Sequence, residues 1–351
     1  MSATIFEADC MAIIDIHSGD GDGAEVVMEF NGKHIAVSVF PDHSPQHAIE
    51  NHLISLIGKA CTTEDNDEYD AAIEYIYDII GDAGKPLFLE VAPHSHHNLA
   101  DQDIHSLLYP ETLDFKFKTI DGKPTVVPIN PNEAYAILGH PGGDSDLDFE
   151  VDSNLPQYSS TEVRIEKVFG QGMGVVSQVL VNGEHMLCKA QDAGLQSSNL
   201  KRELDTLQAL RKVDVTSSPL IRVPRLLGYV KHAQSEHIIG LLREWIPSSL
   251  LFIKDRLRDI DVSTIPTEKR RKWAAQIRET VTQLHDNGLV WGDGKIHNVI
   301  VDEDDNAWLI DFGGGWTEGW VDKELAGTIE GDEQALGNID KFLGVDKDTV
   351  S

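Results

Sequence analysis

Apolar positions along the chain group into runs whose spacing separates strands from helices. In "EVVMEFNGKHIAVSVF", Glu25 to Phe40, two β-rich runs flank Asn31-Gly32, a dipeptide suited to a two-residue hairpin. A second pair of runs, "LDFKFKTIDGKPTVVPI", flanks Asp121-Gly122 in the same way. Between them, "EYDAAIEYIYDII" has helical spacing, which predicts a helix near residues 67–80. The acids of the polar break Cys61–Asp70 would sit on its first turn. The first half therefore reads as a small α+β domain. "GHPGGDSDLDFEVDSNLPQYSS", Gly139 to Ser160, is dense in Gly, Pro, Ser and Asp without periodicity and reads as a linker.

The second half opens with "EVRIEKVFGQGMGVVSQVLVNGEHMLCKA", read as strand, glycine-rich turn, strand, Asn182-Gly183 hairpin, strand. A helix follows, with Leu200, Leu204, Leu207 and Leu210 on one face. "TEKRRKWAAQIRETVTQLHDNG" places Trp273, Ile277, Val281 and Leu284 at helical spacing and stops at Gly288. Two short apolar strands, "NVIVD" and "AWLID", then pair across the turn "EDDN". No internal repeat with a period of about 20 to 50 residues interrupts this order.

At 351 residues the chain has room for two domains, set at 1–150 and 151–351. A hydrophobic content of 41% is ordinary for a folded protein, but the formal net charge of −30 is not. It argues against a sequence-independent grip on nucleic acid or an anionic membrane, since phosphate binding needs a basic face. Three widely spaced cysteines, Cys10, Cys61 and Cys188, form neither a disulfide framework nor a zinc pattern. The N-terminus lacks the design of a signal peptide, and no apolar stretch approaches about 18 residues. A soluble, intracellular (cytoplasmic) setting is expected. "APHSHHNLADQDIH" gathers His94, His96, His97 and His105 with two aspartates, but the spacing fits no ligand motif and reads as a polar loop.

The polar residues around the last hairpin are harder to assign to structure alone. Asp293 and Asn298 lie five residues apart with Lys295 between them, on the loop leading into the first strand, and Asp311 ends the second. The hairpin makes these two places neighbours. Two acids and an amide that converge suit a hard cation held by oxygen ligands, and Lys295 suits an anion bridging that cation. Upstream, "GQGMG" from Gly170 to Gly174 lets backbone N–H groups approach a phosphate. Lys189 ends the following apolar strand and needs a counter-charge, while Glu203 stands 14 residues on, in the next helix.

The ordered set Gly170-x-Gly172-x-Gly174, Lys189, Glu203, Asp293-x-Lys295-x-x-Asn298 and Asp311-Phe312-Gly313 resembles the protein-kinase-like superfamily over roughly residues 160–345. The resemblance implies a bilobal α+β fold, with a β-rich N-lobe at about 160–245, a reduced helical C-lobe at about 246–345 and the small N-terminal domain in front. It implies ATP and Mg²⁺ as cofactors. Gly170, Gly172 and Gly174 would cover the phosphates, with Lys189 on the α- and β-phosphates and Glu203 orienting it. "LLREWIP", Glu244 included, would bond the adenine through its backbone. Asp293 would accept the proton of the attacking hydroxyl, Lys295 would stabilise charge on the transferred group, and Asn298 and Asp311 would hold Mg²⁺.

Several positions depart from the common pattern. Trp291-Gly292 replaces the usual His-Arg, so control through a phosphorylated activation loop is not expected. A glycine before the catalytic aspartate is familiar from small-molecule phosphotransferases of the aminoglycoside type. No Ala-Pro-Glu follows Gly313, and the remainder has room for one or two helices. Overall, the "WGD…K…N" loop, "WTEGWVD" and "IHSLLYPETL" resemble kinase-like proteins common in filamentous fungi. The expected activity is transfer of the γ-phosphate to a hydroxyl of an unidentified acceptor, a small molecule ahead of a protein. Two other readings stay open: a pseudokinase acting as an interaction module, and a kinase fold reused for cyclisation or adenylyl transfer.

Overall fold

The computed structural model describes residues 11–19, 21–41, 48–63, 65–93, 102–135, 149–171, 174–213, 221–251 and 262–345. Cys10, Gly172, His94, His96, His97 and the first part of the linker (139–148) lie outside them, while the end assigned to it contains a short strand, Gln157–Ser159. The architecture is mixed α+β. The chain divides into two compact units, residues 1–98 with 109–142 and residues 99–108 with 143–351.

The first unit is a five-stranded sheet. Its strands are β1 (Met11–Ser18), β2 (Ala24–Phe30), β3 (Lys33–Val39), β4 (Thr112–Ile120) and β5 (Lys123–Pro128), side by side in that order. The β2–β3 and β4–β5 pairs are the two expected hairpins. Their corners, Asn31-Gly32 and Asp121-Gly122, all have positive φ, which explains the choice of Asn, Asp and Gly. β3 and β4 run parallel, so a crossover must join them. It contains α1 (Ala48–Thr62) and α2 (Asn66–Val91), which bury Leu53, Ile57, Ile76, Ile80 and Phe88 against Val26, Met28, Ile35 and Phe117 of the sheet.

Asp65 caps α2 by accepting from the amides of Asp67 and Glu68, as the acidic start suggested. The helix runs well past the expected end near residue 80 and through Pro86. Burial of the Phe88 ring beside Phe30 and Phe115 offsets the hydrogen bond that Pro86 removes. α1 was not foreseen. Its buried positions Leu53, Ile54, Ile57 and Ala60 have helical spacing, and Glu50 in its first turn accepts from the amide and hydroxyl of Thr119 on β4.

The second unit begins with a short insert inside the sequence region assigned above to the first domain. α3 (Ile104–Leu108) and its lead-in bond the following strand region, with Ile104 N donating to Val163 O and Ile165 N to Gln102 O. His105 lies 3.2 Å from the Ser160 hydroxyl and edge-on to the ring of His232. Among the described residues, no group of three His, Cys, Asp or Glu side chains is arranged to hold a metal ion.

Six strands form the main sheet: β6 (Gln157–Ser159), β7 (Arg164–Gln171), β8 (Val175–Val181), β9 (Glu184–Ala190), β10 (Leu226–Lys231) and β11 (Ile238–Glu244). Their order in space is β6-β10-β11-β9-β8-β7. α4 (Ser198–Arg211) follows β9 and turns Leu200, Leu204 and Leu207 into the core. A three-stranded sheet joins β12 (Ser248–Leu251), β13 (Val299–Asp302) and β14 (Ala307–Leu309). α5 (Thr267–Asp286) and α6 (Ile329–Leu343) add Trp273, Ile277, Val281, Leu284, Leu336 and Ile339 to the same core.

α5 also grips the turn between β13 and β14. Lys269 pairs with Asp305, Trp273 Nε1 donates to Asp305 O, and Gln276 Oε1 accepts from Ala307 N. Within the turn, Asp302 accepts from the amides of Asp304 and Asn306 and from Trp308 Nε1. Burial works against its charge, but these donors outweigh it and hold the carboxyl below the ordinary range. The hairpin is thus fixed at its tip as well as along its strands. Among the described residues no helix is long and apolar enough to cross a membrane.

Candidate active site

The hairpin brings its flanking polar residues together, as the sequence led us to expect. Ile310 N donates to Asn298 O at 3.0 Å, which seats the residue before β13 beside the segment after β14. Asp311 leaves the strand with φ of +65°, a left-handed corner that aspartate tolerates better than most residues. From there its Oδ1 accepts from Lys189 Nζ at 2.9 Å, across the unit from β9. Lys189 also donates to Glu203 Oε2 at 2.6 Å. Val176 and Leu241 stand directly opposite Lys189 on the neighbouring strands, so its stem is enclosed by apolar side chains.

Charge state follows from this geometry. Burial disfavours the ammonium of Lys189, but the Glu203 and Asp311 carboxylates outweigh it and raise its pKa. Burial likewise opposes the charge of Asp311, and Lys189, Lys295 and Arg243 together hold its carboxyl below the ordinary range. Glu203 is 1% exposed, whereas the Asp311 side chain is 40% exposed. One carboxylate is therefore a sealed counter-ion, and the other opens to solvent.

A second cluster lies in the loop before β13. Lys295 Nζ donates to Asp293 Oδ2 at 2.5 Å and to Thr317 Oγ1 at 2.9 Å. Asn298 Nδ2 donates to the main-chain oxygen of Asp293 at 2.9 Å and to its Oδ2 at 3.2 Å. With the amide nitrogen committed to Asp293, the Oδ1 of Asn298 is the end left for a cation. Asn298 Oδ1 and the second carboxylate oxygen of Asp311 are oxygen donors of the kind that a hard cation such as Mg²⁺ takes.

The loop itself is held from α6. Asp332, 1% exposed, accepts from the amides of Trp291 and Gly292 at 2.8 and 2.9 Å and bonds His285 Nε2. Trp291 is fully buried and donates its Nε1 to Ile310 O, so it ties the loop to the hairpin.

The missing side chain at Gly292 also has a structural counterpart. A Cβ at Gly292 would stand 2.7 Å from Arg202 Nη2, one at Gly314 2.3 Å from Nη1, and one at Gly327 3.0 Å from Nη2. All three glycines have positive φ, and together they form a socket for a guanidinium arriving from α4. Gly314→Ala should therefore destabilise through this clash as well as through its left-handed backbone, which costs about 1–2 kcal/mol. Adding Arg202→Ala should recover part of the melting temperature by calorimetry. No recovery would contradict the socket.

The remaining expected residues are placed less completely. Gly170 is exposed near the end of β7, and Gly174 packs so closely that a Cβ would meet Ala190 O at 2.7 Å. The end of the turn therefore lies against the strand that carries Lys189. Glu244 commits its side chain to Arg225 and its amide to Arg225 O, so any adenine contact would use its carbonyl. Beside it, the Trp245 ring stacks on Phe169 of β7 at 5.6 Å and 12°.

Four residues not singled out from the sequence belong to this region: Arg202, Arg243, Thr317 and Asp332. Arg243 had a legible signal, a charge inside the apolar run "IIGLLREW", the same signal that drew attention to Lys189. Arg202, Thr317 and Asp332 act across long sequence separations and had none.

No family model matches the chain. Partial likenesses to curated proteins do exist. A cyclin-dependent kinase F-1 from Oryza sativa subsp. japonica is 28% identical over 116 residues, covering 32% of this chain and 24% of the relative. A serine/threonine-protein kinase-like protein from Arabidopsis thaliana is 32% identical over 103 residues, 29% of this chain and 28% of the relative. The mouse NUAK family SNF1-like kinase 1 is 25% identical over 121 residues, 34% and 17% of the two chains. The chain spans about a quarter or less of the length of such relatives. Together with the site's geometry, these likenesses support a distant relation to the protein-kinase-like superfamily.

Proposed function

We propose that the protein is an ATP- and Mg²⁺-dependent phosphotransferase that moves the γ-phosphate to a hydroxyl group of a small molecule. The observation that carries this reading is the hairpin mount. It places Asp293, Lys295 and Asn298 on one side and Asp311 with Lys189 on the other, each within hydrogen-bonding distance of its neighbour. Kinase relatives support phosphoryl transfer in general. The small-molecule acceptor rests on the Gly292-Asp293 pair, which resembles phosphotransferases of the aminoglycoside type.

The roles follow from chemistry and position. Lys189 offers a fixed positive charge to the α- and β-phosphates, and Glu203 keeps it from swinging away. The Gly170–Gly174 turn, whose last glycine packs against Ala190 O of the same strand, would supply backbone donors to the phosphates. Asn298 and Asp311 would hold Mg²⁺, which when bound neutralises phosphate charge and orients the γ-phosphoryl group. Asp293 takes the proton of the acceptor hydroxyl. Lys295 already sits on Asp293 Oδ2, and it stands ready to meet negative charge on the transferred group. Thr317 shares Lys295 and approaches Asp293 Oδ1 at 3.5 Å, which fixes both in register.

Purified protein with Mg²⁺-ATP and a panel of hydroxyl acceptors tests the reading. Nucleotide binding with acceptor-dependent ADP release is expected. Absence of both would overturn it. Binding without transfer would point to an interaction module instead.

A further inference from the structure

One buried charge has no part in the roles assigned so far. Arg243, near the end of β11, is 6% exposed. Its Nε has no hydrogen-bond partner, and no other hydrogen bond or ion pair is recorded for its side chain among the described residues. A buried guanidinium N–H without an acceptor is unfavourable, so a carboxylate within reach is the natural partner for it in a working state of the site.

The sheet register says where that answer lies. In the antiparallel β9–β11 pair, Leu241 stands opposite Lys189 and Arg243 opposite Leu187. Side chains two residues apart on a strand share a face, so Arg243 is the diagonal neighbour of Lys189 on the face that carries the Lys189–Glu203 pair. The same cluster holds a carboxylate with room for a second donor. Glu203 is bonded at Oε2 by Lys189, and no donor to its Oε1 is recorded among the described residues, although the side chain is 1% exposed. Burial lowers the pKa of Arg243, and Glu203 and Asp311, both close enough to be felt, work against that.

We infer that Arg243 is a positioning residue for the nucleotide-loaded site: it becomes the donor to Glu203 Oε1 and keeps that carboxylate compensated while Lys189 shares its charge with the phosphates. The inference rests on the nucleotide-binding reading above. The reasoning is one of charge. In the present arrangement the single charge of Lys189 serves two carboxylates, Glu203 and Asp311. Phosphates arriving at Lys189 add negative charge, and a metal at Asp311 would answer part of it. Among the described residues Lys189 is the hydrogen-bond donor to Glu203, so drawing that charge toward phosphates leaves the carboxylate short of a partner. A short reorientation of Arg243 would give its unbonded Nε an acceptor and the Glu203 carboxylate a second donor.

The test is Mg²⁺-ATP affinity by calorimetric titration for wild type, Arg243→Met, Arg243→Lys, Glu203→Gln and Glu203→Gln/Arg243→Met, with apo melting temperatures alongside. Methionine fills similar space without charge, and lysine restores the charge if methionine is poorly tolerated. Arg243→Met should weaken Mg²⁺-ATP binding at least tenfold, with Arg243→Lys recovering a good part of the loss. In the Glu203→Gln background the same change should have little effect, because the carboxylate it serves has gone. A residue that only packs the sheet would lower the melting temperature and leave these affinity ratios unmoved. Equal affinity in wild type and both Arg243 variants, or an equal loss with and without the Glu203 carboxylate, would overturn the role of Arg243 alone. A wild-type protein that does not bind Mg²⁺-ATP would remove the nucleotide reading and this inference together.

Discussion

Asp293→Asn should lower the turnover number for phosphoryl transfer by about 10²- to 10⁴-fold, the range expected when a positioned general base is lost. Nucleotide binding should survive in large part, because Lys189, assigned to the α- and β-phosphates, bonds Glu203 and Asp311 rather than Asp293. Asparagine keeps the shape of the side chain but removes the charge that Lys295 meets at 2.5 Å. Lys295 retains Thr317 as an acceptor, so the loss of stability should be modest, about 1–3 kcal/mol. Parallel calorimetric titrations and rate measurements separate the two effects. A variant that loses binding and turnover together would place Asp293 in the nucleotide site and contradict its role as base.

Lys189→Met should have the largest effect on stability among the site variants. Lys189 is 18% exposed and Glu203 1%, and removing one partner of such a pair leaves an uncompensated buried charge. Breaking a buried pair in this way costs about 3–5 kcal/mol. With Arg243 remaining in the cluster, the value should fall near the lower end of that range. Mg²⁺-ATP binding should become undetectable, since the fixed cation assigned to the phosphates is gone. Denaturant unfolding with and without nucleotide measures both. Stability within 1 kcal/mol of wild type would show that Glu203 does not depend on Lys189.

The sequence carried much of this site because its signals are local. Asn-Gly and Asp-Gly corners, a leucine stripe, and charges at the ends of apolar strands each follow from rules acting over a few residues. Lys189 and Glu203 could be paired from the need of a buried cation for a counter-ion, and the structure brings them to 2.6 Å. What escaped depends on contacts between distant segments. Asp332 lies about 40 residues beyond the amides it accepts from, and within α6 it reads as one more acid in an acidic chain. Arg202 looks like an exposed helix residue until three glycines from separate segments close around it. α2 outran its expected length because the packing of Phe88 outweighs the local objection of Pro86, and tertiary burial is not visible in a helical pattern. Trp291 stood out as a departure from the kinase pattern, and its burial with a bond to Ile310 O gives that departure a structural purpose.

The most direct measurement is transfer of labelled γ-phosphate from Mg²⁺-ATP to a hydroxyl acceptor, followed by mass spectrometry of acceptor and nucleotide, with Asp293→Asn in parallel. The phosphotransferase reading predicts a phosphorylated acceptor and ADP in equal amounts, dependence on Mg²⁺, and loss of both products in the variant. An acceptor carrying AMP, turnover that continues without nucleotide, or undiminished transfer by Asp293→Asn would contradict it.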